Sequence, residues 1–347
     1  MDEIQSLPNW ELFLKRYFDL RYPVKFIISS SASLPLLHKS RESLAGRILE
    51  FPVYPFSLVG LAVLKEEKKL EEIFLASRDI WRKFWQEMNW SKLGENLFSL
   101  EREVFPLKPK LKLFVENYLL LGGFPEYLQI DQDLRERYFW DSVVERVIHR
   151  DIPAIVDVRD RELLRNLLLY AFSFSGTVLN ITQLANDFGS TKLSVSNYLR
   201  YLEGSLLVHL IEKYARSIES RLRAFKKVIT IDPGLYSNIA GISPLRPSWE
   251  KEKGVLAEIA VFAKLKREVR NFGLFYWRER DKEVDFVVDF LKGVIPVEVK
   301  YRDVIKARDL RGIEEFKRKF KSTKSIIITK EKLEWDGSKL LVPLWLF

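Results

Sequence analysis

The sequence predicts a multidomain α/β protein, and three observations carry that expectation. At 347 residues the chain is long enough for two or three domains, each with its own core. Apolar residues recur at helical spacing over much of the chain, whereas residues 283–300 alternate with the period of two that marks β-strands. Between these parts lies a helix, turn, helix pattern followed by short β-rich runs. Hydrophobic residues make up 47% and aromatic residues 13%, as in ordinary globular proteins, and no disordered tail, repeat or low-complexity tract stands out.

In chain order, Leu7 to Leu20 reads as an amphipathic helix and Val24 to Ser30 (VKFIISS) as a buried strand. Residues from about Phe56 to Pro153 read mainly as helices. Trp81, Trp85 and Trp90 at helical spacing are expected in the core, and Gly122-Gly123-Phe124-Pro125-Glu126 breaks the run. Asn180 followed by Gln183 resembles a capping box, Ile181, Leu184, Ala185 and Phe188 form an apolar stripe, and Gly189 ends that helix. A second helix from about Thr191 buries Val195, Tyr198, Leu199 and Leu202. Leu206 to Tyr214 and Lys226 to Ile231 then supply strands separated by Arg216, Arg221 and Arg223, so a winged helix is the economical reading. Ile242 to Pro247 is the expected linker. Beyond it, a helix from about Trp249 to Lys266 sets Glu258 on the same face as Val255, Ile259 and Phe262, where a carboxylate needs a partner.

The run from Glu283 to Lys300 is the most informative stretch. Val284, Phe286 and Val288 alternate with Asp285, Val287 and Asp289, and Ile295, Val297 and Val299 alternate with Pro296, Glu298 and Lys300. A symmetric turn at Phe290 to Gly293 sets Asp285 opposite Glu298, and Lys300 opposite Glu283. Carboxylates facing each other with Cβ atoms roughly 4.5–5.5 Å apart repel unless a positive group sits between them. A divalent cation is the natural occupant.

Helix Glu, strand Asp, then Glu-x-Lys on the next strand resembles the PD-(D/E)XK nuclease core. The resemblance implies that Glu258, Asp285 and Glu298 hold a magnesium ion, and that Lys300 is the catalytic lysine that orients water or steadies developing charge. The other words along the chain resemble a large archaeal and bacterial family of AAA-type P-loop ATPases. Asp2-Glu3-Ile4-Gln5 looks like the end of its Walker B strand, Ser31-Ala32-Ser33 like its sensor region, and Ser43-Leu44-Ala45-Gly46-Arg47 supplies an arginine near the nucleotide. L-x-G-G-F-P-E around Gly122 and Arg150-Asp151-Ile152-Pro153 look like its helical lid, and Lys227 to Leu235 resembles its K-x-Y-F-x-D-x-G-L junction word. The resemblance implies a truncated ATPase core from Walker B onward at 1–55, a helical lid at 56–155, a winged helix at 156–235 and a nuclease-like domain at 236–347. The phosphate-cradling G-x-x-x-x-G-K-[ST] loop occurs nowhere in this sequence. The expectation is therefore an N-terminally truncated member, with a degenerate nucleotide site at Asp2, Glu3 and Arg47 and no tight ATP binding without a partner chain.

The charge balance points to a polyanion. There are 57 Lys and Arg against 48 Asp and Glu, a net charge of +9, and Lys300 to Leu333 holds twelve basic residues against five acids. The expected partner is DNA, with Lys192, Ser196 and Arg200 at i, i+4 and i+8 facing a major groove and the wing residues Arg221 and Arg223 reaching phosphates. Zero cysteines exclude disulfides and thiolate metal sites, and three scattered histidines argue against zinc, which leaves a hard, oxygen-ligated ion such as magnesium. No apolar run approaches the ~18 residues of a membrane span, and the N-terminus lacks a signal-peptide pattern, so a cytoplasmic protein with no membrane partner is expected. Two functions compete. One is a DNA-binding protein with a magnesium-dependent nuclease-type site; the other is a non-catalytic interaction module, or one half of a split ATPase completed by a homo-oligomer or a separate chain.

Overall fold

The computed structural model describes residues 1–4, 7–30, 44, 46–154, 156–242, 249–269, 272–290 and 293–347, with the backbone alone at 132 and 133. Gln5, Ser31 to Ser33, Ser43, Ala45 and the linker residues Ser243 to Pro247 lie outside the described residues. In chain order come α1 (Trp10–Asp19), α2 (Leu58–Leu64), α3 (Lys68–Glu87), α4 (Trp90–Val104), α5 (Lys108–Leu121), α6 (Pro125–Gln129), α7 (Gln132–Tyr138), π-helical turns at Phe139–Glu145 and Val147–Asp151, and α8 (Arg161–Ser173). Then follow β1 (Thr177–Val178), α9 (Ile181–Asp187), α10 (Lys192–Gly204), β2 (Val208–Ile211), α11 (Ile218–Arg223), β3 (Lys227–Thr230) and α12 (Pro233–Ile239). The last part is α13 (Trp249–Glu268), β4 (Gly273–Glu279), β5 (Lys282–Phe290), β6 (Gly293–Lys300), α14 (Arg311–Phe320), β7 (Ser325–Thr329), β8 (Glu334–Trp335) and β9 (Lys339–Pro343). Among the described residues no helix is long and apolar enough to cross a membrane.

The chain divides into two compact units, the first made of 1–54, 130–172 and 180–209 and the second of 55–129, 173–179 and 210–347. In the first, α1 buries Trp10 and Leu14 against Ile4 and Leu44. The buried strand expected at Val24 to Ser30 is corrected by the structure: the segment has no strand assignment, and Val24 and Ile27 are exposed. Its backbone bonds run to the short Met1–Ile4 stretch, through Met1 N to Ile27 O (2.9 Å), Ser29 N to Met1 O (2.9 Å) and Ile4 N to Ser29 O (3.1 Å). A run with one short neighbour has no sheet to enclose it. The helical pair α9 and α10 forms as its signals imply. The Asn180 side chain accepts from Gln183 N (3.1 Å), the Thr191 hydroxyl from Ser194 N (3.1 Å), and α10 buries Val195, Tyr198, Leu199 and Leu202. The Tyr198 hydroxyl also accepts from Asp160 N just ahead of α8 (3.0 Å).

In the second unit a mixed six-stranded sheet has the order β4-β5-β6-β7-β9-β8. Strands β4 to β6 form an antiparallel meander, β6, β7 and β9 run parallel, and β8 pairs antiparallel with β9. The β5–β6 register is the one the hairpin implies, from Phe290↔Gly293 to Phe286↔Val297. The sheet's strands are enriched in Val and Ile, which pack well on a pleated surface. α14 covers it by setting Ile313 and Phe316 against Trp277, Val284 and Val287. This close approach depends on Gly312, where a Cβ would lie 1.9 Å from the Glu283 carbonyl oxygen. Gly312→Ala is therefore expected to destabilise the second unit by about 1–3 kcal/mol, because backbone on both sides has to move. Urea unfolding checks this, and an unchanged midpoint would show that α14 shifts freely.

The helices α3 and α5 share that unit's core. Trp81 and Trp85 are buried as expected, and Trp81 Nε1 and Ser77 Oγ both donate to the Leu346 carbonyl, at 2.6 and 2.8 Å. Trp90 is half-buried and stacks on Trp335 at 5.5 Å. A smaller sheet of order β1-β3-β2 leads into Asp232, which caps α12. Its carboxylate accepts from Gly234 N (2.9 Å) and Gly123 N (2.8 Å), tying the glycine breaker to the junction word. Burial pushes the Asp232 carboxyl up to about 6, although those two N–H groups pull it down.

Candidate functional site

The β5–β6 ladder opens at its acidic end. Regular pairing stops at Phe286↔Val297, and the next backbone donors are taken by side chains instead. Asp285 Oδ2 accepts from Val299 N at 2.7 Å, and Glu298 Oε2 lies 3.4 Å from Asp285 N. Beyond this point β5 remains on β4, through Val284↔Trp277 and Glu283↔Arg278, while β6 remains on β7, through Glu298↔Ile327 and Lys300↔Thr329. The two strands thus part around Asp285 and Glu298.

α13 brings Glu258 to this opening, as its spacing implies, and Gly176 makes room for it. A Cβ on Gly176 would stand 3.1 Å from Glu258 Oε2, and the φ of +86° there favours glycine. The ammonium of Lys227, from the start of β3, stands among the acids. Its Nζ lies 2.7 Å from Glu258 Oε1, 3.0 Å from Glu283 Oε1 and 3.8 Å from Asp285 Oδ1, and the residue is fully buried. Lys300 bonds Glu298 rather than Glu283. Its Nζ turns along its own strand, and the ammonium of Lys227 is the group that reaches Glu283.

Burial sets the electrostatics. It would depress Lys227, but the carboxylates of Glu258, Asp285 and Glu283 outweigh it and raise the ammonium well above its usual value. Burial raises Glu258, with Lys227 opposing, and raises Glu298, with the Asp285 charge adding to the effect. Lys300 is raised by Asp285 and Glu298 against its own burial. Four carboxylates, Glu258, Glu283, Asp285 and Glu298, thus face two ammonium groups, with the half-exposed Arg278 3.9 Å from Glu283 at the margin. Counted as fully ionised, the four exceed these cations by one charge, and the upward shifts of Glu258 and Glu298 let the cluster hold a proton in its place.

Whether a metal fits divides into composition and arrangement. The donors are hard oxygens, and buried Glu258 Oε1, though in ion-pair contact with Lys227, accepts no well-aligned hydrogen bond. The arrangement differs from the expectation: among the described residues no three His, Cys, Asp or Glu side chains are grouped to hold an ion. Lys227 stands among them.

The other expected site residues are engaged locally. The Asp2 carboxylate accepts from the Ser29 hydroxyl, which holds it below its usual value; Glu3 pairs with Arg146 (3.2 Å) and Arg47 with Asp19 (3.1 Å). Lys192 and Arg200 are exposed and Ser196 half-buried on α10, in the first unit. Arg221 and Arg223 belong to the second. Arg223 is exposed and pairs with Glu219 at 2.6 Å. Arg221 departs from a wing residue reaching outward, because it pairs with Asp289 (3.1 Å), donates to the Ala215 carbonyl (2.6 Å) and lies over Phe275 at 4.5 Å. Lys227 is the residue that sequence reasoning passed over. Its signal was present, since it is the lysine that opens the junction word.

Residues 1–61 match the family model described as AAA domain, and residues 253–347 that described as Domain of unknown function (DUF4143). These matches support an AAA-type ATPase-like family. A further match, to Domain of unknown function (DUF8612), covers residues 113–246. The chain is 26% identical over 323 residues to Uncharacterized protein MJ1544 of Methanocaldococcus jannaschii, covering 90% of this chain and 64% of the relative. It is 22% identical over 359 residues to an uncharacterized protein of Haemophilus influenzae, covering 100% of this chain and 76% of that protein. Uncharacterized protein MJ1637 of M. jannaschii is 23% identical over 358 residues, with 99% and 68% covered. The chain therefore spans less than two thirds of the first of these relatives. No solved structure matches it.

Proposed function

We propose that this AAA-type ATPase-like chain binds DNA and carries a magnesium-dependent nuclease-type site, with Glu258, Asp285 and Glu298 as ligands and Lys300 as the catalytic lysine. The observation that carries the reading is the parting of β5 from β6 at Asp285 and Glu298, which leaves a set of carboxylates in excess over their cations. The order α13, β4, β5, β6, α14, β7, with β7 parallel to β6, agrees with the PD-(D/E)XK resemblance. The order α8, β1, α9, α10, β2, β3 agrees with a winged helix. Bound magnesium would polarise a phosphodiester and lower the pKa of an attacking water. Lys300 stands on Glu298, where it can orient that water or steady negative charge as it develops on phosphate oxygens. Lys227 holds the acids together and competes with any ion for them. Lys192 and Arg200 on the exposed face of α10 supply DNA contacts.

A second reading, a non-catalytic interaction module that pairs with copies of itself or with a separate chain, is favoured by the place of Lys227, which already satisfies three of the acids. One experiment separates the two. Melting and DNA cleavage are followed against manganese and magnesium, and the nuclease reading expects saturable stabilisation accompanied by divalent-dependent cleavage. DNA affinity should fall with salt by about 0.9 log unit per log unit for each phosphate contacted, and Lys192→Ala with Arg200→Ala should flatten that slope. No metal response, no cleavage and no salt-dependent DNA binding would leave only the interaction module.

A further inference from the structure

A cavity of about 720 Å³ opens in the second unit between α3 and α13. It uses Ala260, Lys264, Arg267 and Glu268 of α13, none of which belongs to the acid cluster. Its volume falls within the roughly 300–1,000 Å³ of small-molecule sites. Phe74, Trp85 and Phe272 are among the aromatic residues of its wall, and Arg78 and Arg82 stand on the α3 side.

The charges in the lining are unevenly committed. On α13, Lys264 pairs with Glu268 (2.6 Å) and Arg267 donates to the Pro55 carbonyl (2.7 Å). The second oxygen of Glu268 accepts from Trp85 Nε1 (3.2 Å), so the one carboxylate side chain of the lining is already engaged through both oxygens. On α3, Arg78 and Arg82 sit one helical turn apart, and like charges at that spacing disfavour a helix unless an anion lies between them. Arg78 reaches only the neighbouring Asp79, at 3.8 Å with both side chains about half exposed, and exposed Arg82 forms no ion pair among the described residues. Two guanidinium groups thus line an aromatic-walled cavity, with no carboxylate nearer than that of Asp79, 3.8 Å from Arg78, among the described residues.

We propose that this cavity binds a small ring compound bearing a phosphate, with Arg78 and Arg82 on the phosphate oxygens and the ring against Trp85 and Phe272. A carboxylate's two oxygens saturate one guanidinium fork, whereas a phosphate has enough terminal oxygens to serve two. A flat apolar ring meets aromatic side chains face or edge on and completes the burial. The chemistry is shared by simple aryl phosphates and nucleoside monophosphates, which differ in whether a ribose must be accommodated.

The test titrates phenyl phosphate and adenosine monophosphate into the full chain, followed by calorimetry and tryptophan fluorescence. At least one probe is expected to bind saturably, and the tighter of the two tells which source the site takes. Arg78→Gln with Arg82→Gln should weaken binding roughly tenfold or more, and benzyl alcohol and inorganic phosphate should each bind more weakly by a similar factor. Trp85→Phe should weaken binding and reduce the fluorescence response, because the ring loses part of its wall and Glu268 loses the Trp85 donor. Both arginines are surface residues, so circular dichroism should be unchanged in the double variant. The proposal is overturned if neither probe saturates, or if the double variant binds as tightly as the unmodified protein.

Discussion

Lys227→Met is expected to destabilise the second unit by about 3–5 kcal/mol at neutral pH, the cost of breaking a buried ion pair by removing one partner. The ammonium is fully buried and faces Glu258, Glu283 and Asp285, so its loss leaves crowded carboxylates without a counter-charge. The sign of the pH dependence follows from the two directions of shift. Lys227 is raised in the folded state, so its contribution is present in full below the ordinary lysine value and is lost only in strong alkali. Glu258 is also raised in the folded state, so acidification protonates it early and reduces the repulsion that the variant exposes. The deficit should therefore shrink as pH falls from neutral. Urea unfolding at several pH values reads it directly, and a deficit below 1 kcal/mol at every pH would show the cluster to be open to water. Millimolar manganese should restore part of the loss if the acids accept an ion once Lys227 is gone.

The second large effect concerns Asp285 and Lys300. Asp285→Asn is expected to abolish the stabilisation of the unmodified protein by manganese or magnesium, because that carboxylate stands between Glu298 and Lys227 and no neighbouring acid takes its place. In the absence of metal the variant should melt no lower, since a like-charge contact with Glu298 disappears. Lys300→Ala should keep the metal response but lower DNA cleavage by roughly 100-fold or more, which separates holding an ion from catalysis. Cleavage and melting measured side by side on both variants decide the matter. Equal cleavage in Lys300→Ala and the unmodified protein would remove the lysine from the mechanism.

Much of the local architecture was legible. In the hairpin, a period of two assigns each side chain to a face and a short turn fixes the register, so Phe290↔Gly293 pairing sets the rest. The caps at Asn180 and Thr191 are local signals that need no tertiary context. Lys227 was hidden for the opposite reason. The apolar run Val228 to Ile231 announces a buried strand, but nothing local says that the lysine before it goes inside as well, and its acidic partners arrive from a helix and a strand far downstream. Val24 to Ser30 misleads in the reverse sense, since an apolar run signals burial only where a sheet exists to receive it. Arg221 looked like a phosphate contact because charge and position suggest one, whereas its Asp289 partner depends on how β5 ends.

The bonds from Ser77 and Trp81 to the Leu346 carbonyl join residues 269 and 265 positions apart. At a synthesis rate of roughly 5–20 residues per second, α3 leaves the ribosome about 10–50 s before its partner exists. During that interval the apolar face of α3, with Trp81 and Trp85, has no final seat. Long-range closure of this kind slows folding and lengthens exposure to aggregation. The helices of 55–129 are thus the segment for which a cellular holdase matters most, and refolding of the intact chain should be slower than that of a domain built from neighbouring segments.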